Sequence, residues 1–310
     1  MKEMGETKMR TAYLFCLVVL ASPALGLAQG PSPEQTADTL RYLDSLRKPN
    51  GGYGADARPE TPASLPATAS AVRAIKYFGG KLKEPQATFA FLDSCRDRER
   101  GTFSAIPGGK PDVRTTSVGL MALKELAAFS PQPVEPGKAF LGYLVPESKT
   151  FEDIRIAAAA YEAWFPRADD REHESLRKQW LAEVLKDQNA DGTFGEGAGK
   201  ARATGGAVVT MLRLGARLDE SSRKAVVNAI LEGQRPDGGW GKENAKTSDL
   251  ETTYRVMRCL HMLGVKPDVK ACRAFVARCR TPDGSYGVEP GQPGSVSGTY
   301  FAGVVLHWLE

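Results

Sequence analysis

The stretch from Lys242 to Thr253 brings two lysines, Lys242 and Lys246, close to two carboxylates, Asp249 and Glu251. Carboxylates of this kind can serve as acid and base, and lysines can hold an anion. As a catalytic pair the carboxylates fit poorly, because residues two apart on a helix point about 200° away from each other. A second acidic run, Asp169-Asp-Arg-Glu-His-Glu174, is better explained as the charged start of a helix, where the macrodipole favours acids. Metal ligation by sulfur or imidazole is sparse. Only three histidines occur, His173, His261 and His307, and Cys95, Cys259, Cys272 and Cys279 include no CxxC pair, so a structural zinc site is not expected.

Composition places these residues in an ordinary globular chain. Of 310 residues, 42% are apolar and 25% charged, which excludes collagen-like, coiled-coil and wholly disordered classes. A net charge of +4 is too small to imply a nucleic-acid partner. At the N-terminus, Lys2, Lys8 and Arg10 precede an apolar run over residues 11–20, then Pro23 and Gly26-Leu-Ala28. This pattern predicts a secretory signal peptide over 1–28, cleaved before Gln29, and a protein exported to the periplasm or the exterior. No later run is long enough to form a stable membrane span. Cleavage would remove Cys16 and leave four cysteines, an even number that permits disulfides without demanding them. A bond between Cys272 and Cys279 is excluded, because seven residues on a helix separate them by about 10 Å.

A turn motif then recurs: Gly51-Gly-Tyr-Gly54, Gly101-Thr-Phe103, Lys149-Thr-Phe151, Asp191-Gly-Thr-Phe-Gly195, Asp237-Gly-Gly-Trp-Gly241 and Asp283-Gly-Ser-Tyr-Gly287. Its aromatics lie 50, 48, 43, 46 and 46 residues apart. A period of this length marks a repeat architecture. Before each motif comes an amphipathic helix pattern, such as Leu176, Trp180, Leu181, Val184 and Leu185 among charged residues. After it comes a segment that is apolar or small nearly all round, such as residues 204–214. Such helices need cover on every side, so they form an inner layer inside the amphipathic ones. Ser32-Pro-Glu-Gln35 starts the first helix with a capping box and a proline at N1. The last segment, residues 300–309, is apolar to its end and must be covered by the first pair. The expected fold is therefore all-α: six helix pairs over residues 29–310, closed into one (α/α)6 toroid. A threonine follows the motif aromatic by 13 residues in three copies (Thr116, Thr253, Thr299), with Thr68 and Thr204 in equivalent places. These hydroxyls are expected to cap helices or bond back to the preceding turn.

Motif, period and copy number together resemble the prenyltransferase and squalene-cyclase repeat superfamily of α/α toroids. Gln234-Arg-Pro-Asp-Gly-Gly-Trp-Gly241 is similar to its Gln-Trp motif, and the β subunit of protein geranylgeranyltransferase is the most similar branch. That resemblance implies a zinc ion bound by Asp, Cys and His, with Lys and Arg on an isoprenoid diphosphate. Lys246 and Asp249 match the pattern. Glu251 stands in place of the cysteine, Lys242 is one place off the arginine, and Gly298 replaces the histidine. Arg202-Ala-Thr-Gly205 occupies the region of another diphosphate-binding histidine. His261 does not repair the site, since 12 residues of helix place it about 18 Å from Asp249. The Asp-x-Asp-Asp acid motif of class II terpene cyclases and the Cys-Gly-Glu-Gln motif of thioester toroids do not occur.

No cofactor is therefore expected, zinc being disfavoured. The inner helices should run parallel, so that their N-termini form one rim that suits an anion. Arg114, Arg155, Lys200, Arg202, Lys242 and Lys246 fall at those starts, with Asp112, Asp153, Asp249 and Glu251 beside them. The favoured function is a toroid, non-catalytic or altered, that binds a small apolar, isoprenoid-like ligand or a peptide. A prenyltransferase-type enzyme with altered ligands or a partner subunit is one alternative, and a polysaccharide lyase or hydrolase is another.

Overall fold

The computed structural model describes residues 30–127, 129, 139–166 and 171–310. Twelve α-helices lie among them: α1 Pro33–Ser45, α2 Leu65–Tyr77, α3 Pro85–Ser94, α4 Val113–Leu126, α5 Ala139–Glu147 and α6 Phe151–Trp164, then α7 Glu174–Leu185, α8 Lys200–Arg213, α9 Glu220–Glu232, α10 Leu250–Met262, α11 Val269–Arg278 and α12 Val296–Trp308. Strand structure among the described residues is confined to a two-residue antiparallel pair, Arg96–Asp97 with Thr102–Phe103. The even-numbered helices pack in sequence, and α12 packs back on α2. They form a ring of six inner helices, each with its odd-numbered partner outside. The closed toroid expected from the repeats is the fold.

Local sequence starts each inner helix. Ser64, Asp112, Thr150, Asp249 and Ser295 cap α2, α4, α6, α10 and α12 by accepting a backbone N–H of the first turn. Each such cap stabilises its helix by about 1 kcal/mol. Small residues let the inner layer close up. Gly303 of α12 lies directly against the ring of Phe78, where a Cβ would come within 2.8 Å.

The motif aromatics Tyr53, Phe103, Phe194, Trp240 and Tyr286 are buried to within 4% of full enclosure, so they anchor each turn under the inner layer. The inner-helix threonines hold these turns in place. Thr68, Thr116, Thr204, Thr253 and Thr299 accept the aromatic's backbone N–H at 2.9–3.1 Å. Most also bond back: Thr68 and Thr299 donate to the residue four before, as expected for a back-bond. The longer-range clamp was not anticipated. It arises because the turn's own N–H has no sheet or helix partner once buried.

The third repeat departs from the predicted motif. Thr150 is the N-cap of α6 and Phe151 its first residue, so residues 149–151 form a helix start and not a Gly-aromatic turn. With α5 ending at Glu147, there is no turn N–H to clamp, and the threonine position is filled by buried Ile154.

Closure repeats the bonds of the internal steps. Thr88 of α3 donates to the Gly51 carbonyl at 3.0 Å, and Thr39 of α1 donates to Gly284 at 2.6 Å. Likewise Leu65 and Leu250 donate their N–H to Ala105 and Val288 in the following repeat, and Val296 donates to Ala55 in the first. Arg280 adds an ion pair to Asp38 at 3.0 Å. The step from the sixth pair to the first is thus chemically the same as the others.

Candidate functional site

The six inner helices enclose a cavity of about 420 Å³ to which all of them contribute side chains. Val118, Met121, Ile156, Ala159 and Val209 form an apolar side, and Tyr77, Tyr254, Tyr300 and Phe301 an aromatic one. Charged residues also face inward. The inner helices are therefore not covered by apolar neighbours all round, as their sequences implied; each keeps a strip for the chamber.

At the N-terminal turns the charges neutralise one another. Glu152 of α6 pairs with Arg155 at 2.9 Å and takes both guanidinium nitrogens of Arg255 at 2.8 and 3.1 Å. Arg255 also reaches Glu251 at 3.1 Å. Burial opposes the charge on Glu152, but the Arg255 hydrogen bonds and the nearby Arg155 outweigh it and hold its carboxyl down to about 2. This carboxylate is fixed in its ionised form at any ordinary pH.

The residues singled out from the sequence divide into three groups. Glu251 lines the chamber and draws Arg202, at 3.7 Å, and Lys242, at 4.0 Å, toward it. Arg114 lines the chamber and is exposed, while Lys246 is exposed and takes no part in the lining. Asp249 is buried and committed to α10: its two carboxylate oxygens accept the N–H and the hydroxyl of Thr252 at 2.7 and 2.9 Å. Asp112 caps α4 through Thr115 in the same way, Asp153 closes a capping box with Thr150, and Lys200 pairs with Asp191. The predicted rim of free cations is thus largely a set of caps and ion pairs.

The residues at the family's zinc positions do not fit a zinc ion. Asp249 spends its oxygens on the helix start, and Glu251 is held by three cations. At Gly298 a Cβ would stand 2.3 Å from the Tyr286 carbonyl, so no side chain can enter there without moving the motif turn. Among the described residues no group of three His, Cys, Asp or Glu side chains converges.

A second cluster lies toward the C-terminal turns of the same helices, and the sequence reading passed over it. Tyr254 of α10 and Tyr300 of α12 meet at 3.1 Å between hydroxyls, and Arg258 donates to the Tyr254 hydroxyl at 3.1 Å. Arg258 also lies over the rings of Tyr254 and Trp308, and Arg73 over that of Tyr300. Burial resists ionisation of Tyr254, yet Arg258, the Tyr300 hydrogen bond, Arg73 and Arg213 overcome it and bring its phenol down to about 7. Burial and its neighbour Tyr254 push Tyr300 the other way, above its ordinary value. The available signal was a set of arginines, Arg73, Arg213 and Arg258, inside segments otherwise rich in apolar residues. Such residues are rarely enclosed without a purpose.

The thiols are inert by comparison. Cys95, Cys259, Cys272 and Cys279 are free and buried, and burial raises Cys259, Cys272 and Cys279 to about 12. The leader and the Asp169-Asp170 pair lie outside the described residues. Among those described, no helix is long and apolar enough to cross a membrane.

Comparison with known proteins agrees with this architecture. The sequence model of the prenyltransferase alpha-alpha toroid domain matches residues 2–152 and 166–309. No curated protein matches the sequence. Among solved structures, a glycosidase in complex with glucose superposes with a TM-score of 0.61 at 13% identity, over 93% of this chain and 98% of that one. The type II terpene cyclase MstE from Scytonema, in complex with geranylgeranyl dihydroxybenzoate, superposes at 0.59 and 13% identity, over 93% and 97%. Both likenesses are likenesses of fold.

Proposed function

This chain belongs to the prenyltransferase alpha-alpha toroid domain family, and on that premise we propose that its central chamber binds a small apolar, isoprenoid-like ligand without the family's zinc chemistry. The observation that carries the proposal is the chamber itself. Six helices of one closed ring turn an apolar side and an aromatic side into a single enclosed volume of about 420 Å³. This is within the range of small-molecule sites, about 300–1,000 Å³. The isoprenoid-bearing substrate bound to MstE gives a precedent for such a ligand in a toroid of this architecture. Within the family, the motif at Lys246 and Asp249 supports kinship with the β subunit of protein geranylgeranyltransferase, as a branch that has lost the metal.

An apolar ligand accounts for the chamber better than a glycan does. Hydrolysis between two carboxylates needs one of them held protonated, and Glu152 is driven the opposite way, to about 2. Glu125 and Glu162 are likewise ion-paired, to Lys76 and Arg213. The leader-like N-terminus supports action outside the cytoplasm, where a carrier for a water-insoluble ligand has a use that a diphosphate-consuming enzyme lacks.

Native mass spectrometry of protein purified from its own compartment tests the proposal directly, through the mass of a co-purifying molecule. In reconstitution, affinity should climb along the series geraniol, farnesol, geranylgeraniol until the chamber is full. Each buried carbon contributes about 0.8 kcal/mol before ordering costs, so the first added isoprene unit should tighten binding at least tenfold. A flat series, or glucose oligomers binding where isoprenoids do not, would overturn it.

A further inference from the structure

The charges around Tyr254 do not balance. Three guanidinium groups face the two phenols: Arg258 from α10 itself, Arg213 from α8 and Arg73 from α2. Two carboxylates answer them. Glu162 of α6 pairs with Arg213 at 2.9 Å, and Glu125 of α4 lies 3.9 Å from Arg73 while also taking Lys76 at 2.7 Å. Arg258 has no carboxylate partner; it meets the Tyr254 hydroxyl and two aromatic faces, and its Nε is buried without a hydrogen bond. The remaining neighbours do not neutralise it. His261, stacked on Trp308, is kept toward its neutral form by burial and by Arg258, and Lys124, exposed over Trp164, adds positive charge.

Leaving a guanidinium enclosed without a counter-charge costs several kcal/mol unless something neutralises it. Two things can do so here: the phenolate of Tyr254, or the anionic head of a molecule lying in the chamber. Both would occupy the same small volume between Arg258 and Tyr300.

We propose that this end of the chamber is a carboxylate subsite, in which the head of an apolar monocarboxylic acid lies on Arg258, between Arg73 and Arg213, and takes over the charge that Tyr254 supplies when the chamber is empty. The inference rests on the chamber reading above and narrows its ligand to an acid. A single negative charge is what the site lacks, so a monoanion fits where a diphosphate would overfill it. The apolar side formed by Val118, Met121, Ile156 and Val209 belongs to the same cavity and receives the chain. Tyr254 then changes state on binding. Its phenol ionises readily beside Arg258, and an anion arriving there forces the proton back on.

Farnesoic acid and farnesol differ only at the head group, and calorimetric titration of both into the full chain tests the assignment. Farnesoate should bind at least tenfold more tightly than farnesol at pH 7. In the Arg258→Met variant the preference should vanish while farnesol affinity holds. Phenolate absorbance near 295 nm, present in the empty protein above neutral pH and missing from Tyr254→Phe, should fall when farnesoate is added and stay constant with farnesol. Farnesoate affinity should also decline as pH rises from 6.5 to 9 in the wild type, and remain level in Tyr254→Phe. This last readout uses a conservative variant and so survives any folding defect at Arg258. If farnesol binds as well as farnesoate, the carboxylate subsite is refuted and the chamber reading stands. If neither binds, both fall.

Discussion

Thr39 and Gly284 are 245 residues apart in the chain, yet the Thr39 hydroxyl donates to the Gly284 carbonyl at 2.6 Å, wholly buried. Thr88 and Gly51 make the same bond at an internal step. Because the closing contact is a copy of an ordinary one, Thr39→Val and Thr88→Val should cost similar amounts, about 1–3 kcal/mol each from an unsatisfied buried carbonyl. Urea unfolding measures both. A Thr39→Val cost near zero beside a full Thr88→Val cost would mean that the ring is open in solution.

The motif glycines should tolerate nothing larger. Gly238 and Gly284 sit at φ +91° and +88°, and an added Cβ would lie 2.0 Å from the Ala271 carbonyl oxygen and 2.7 Å from the Asp38 backbone carbon, respectively. Each Gly→Ala change combines backbone strain with a clash against the next outer helix, so each should destabilise by more than about 1 kcal/mol. Thermal melting should show losses of more than about 2 °C, and unchanged melting in either variant contradicts the packing described.

Chelation should leave the protein unaltered. Since Asp249 serves α10 as an N-cap, Asp249→Ala should lower stability by about 0.5–2 kcal/mol, and Asp249→Ser should recover much of it. Dialysis against a strong zinc chelator should not shift the melting temperature. A drop on chelation, restored by zinc, would return Asp249 to the metal site that the family pattern suggests.

Two groups give stability opposite ends of the pH scale to depend on. The Glu152 carboxyl lies at about 2 in the folded chain, so its ion pairs with Arg155 and Arg255 contribute fully above about 4.5 and fade as pH falls toward 2. Glu152→Gln should lose more stability at pH 6 than at pH 3. Tyr254 ionises at about 7 when folded against its ordinary 10, so the unfolded chain holds more protons in that window and stability should rise with pH across it. The difference in urea midpoint between wild type and Tyr254→Phe should therefore widen from pH 6.5 to pH 9.5.

The toroid was legible in the sequence because its signals are local and repeated. A cap such as Ser295 or Asp249, a turn glycine, and the contrast between wet and dry helices each act over a few residues, and repetition multiplies the evidence. Closure followed from one physical demand, the need to cover the apolar last helix. The third repeat misled for the same reason in reverse: Thr150-Phe151 has the composition of the motif, but the three residues between α5 and α6 leave no length for a turn.

The site was decided elsewhere. Linear spacing put Asp249 and Glu251 side by side as chemical partners, whereas capping turns one into the helix start and the ion-pair network takes the other. No period links Arg73, Arg213, Tyr254, Arg258 and Tyr300, which come from four different helices. They become one cluster only when the ring closes, since α2 and α12 meet across nearly the whole length of the chain. Helices and their order are set by short-range propensity and burial. Whether a buried arginine finds its counter-charge depends on distances that exist only in the folded ring.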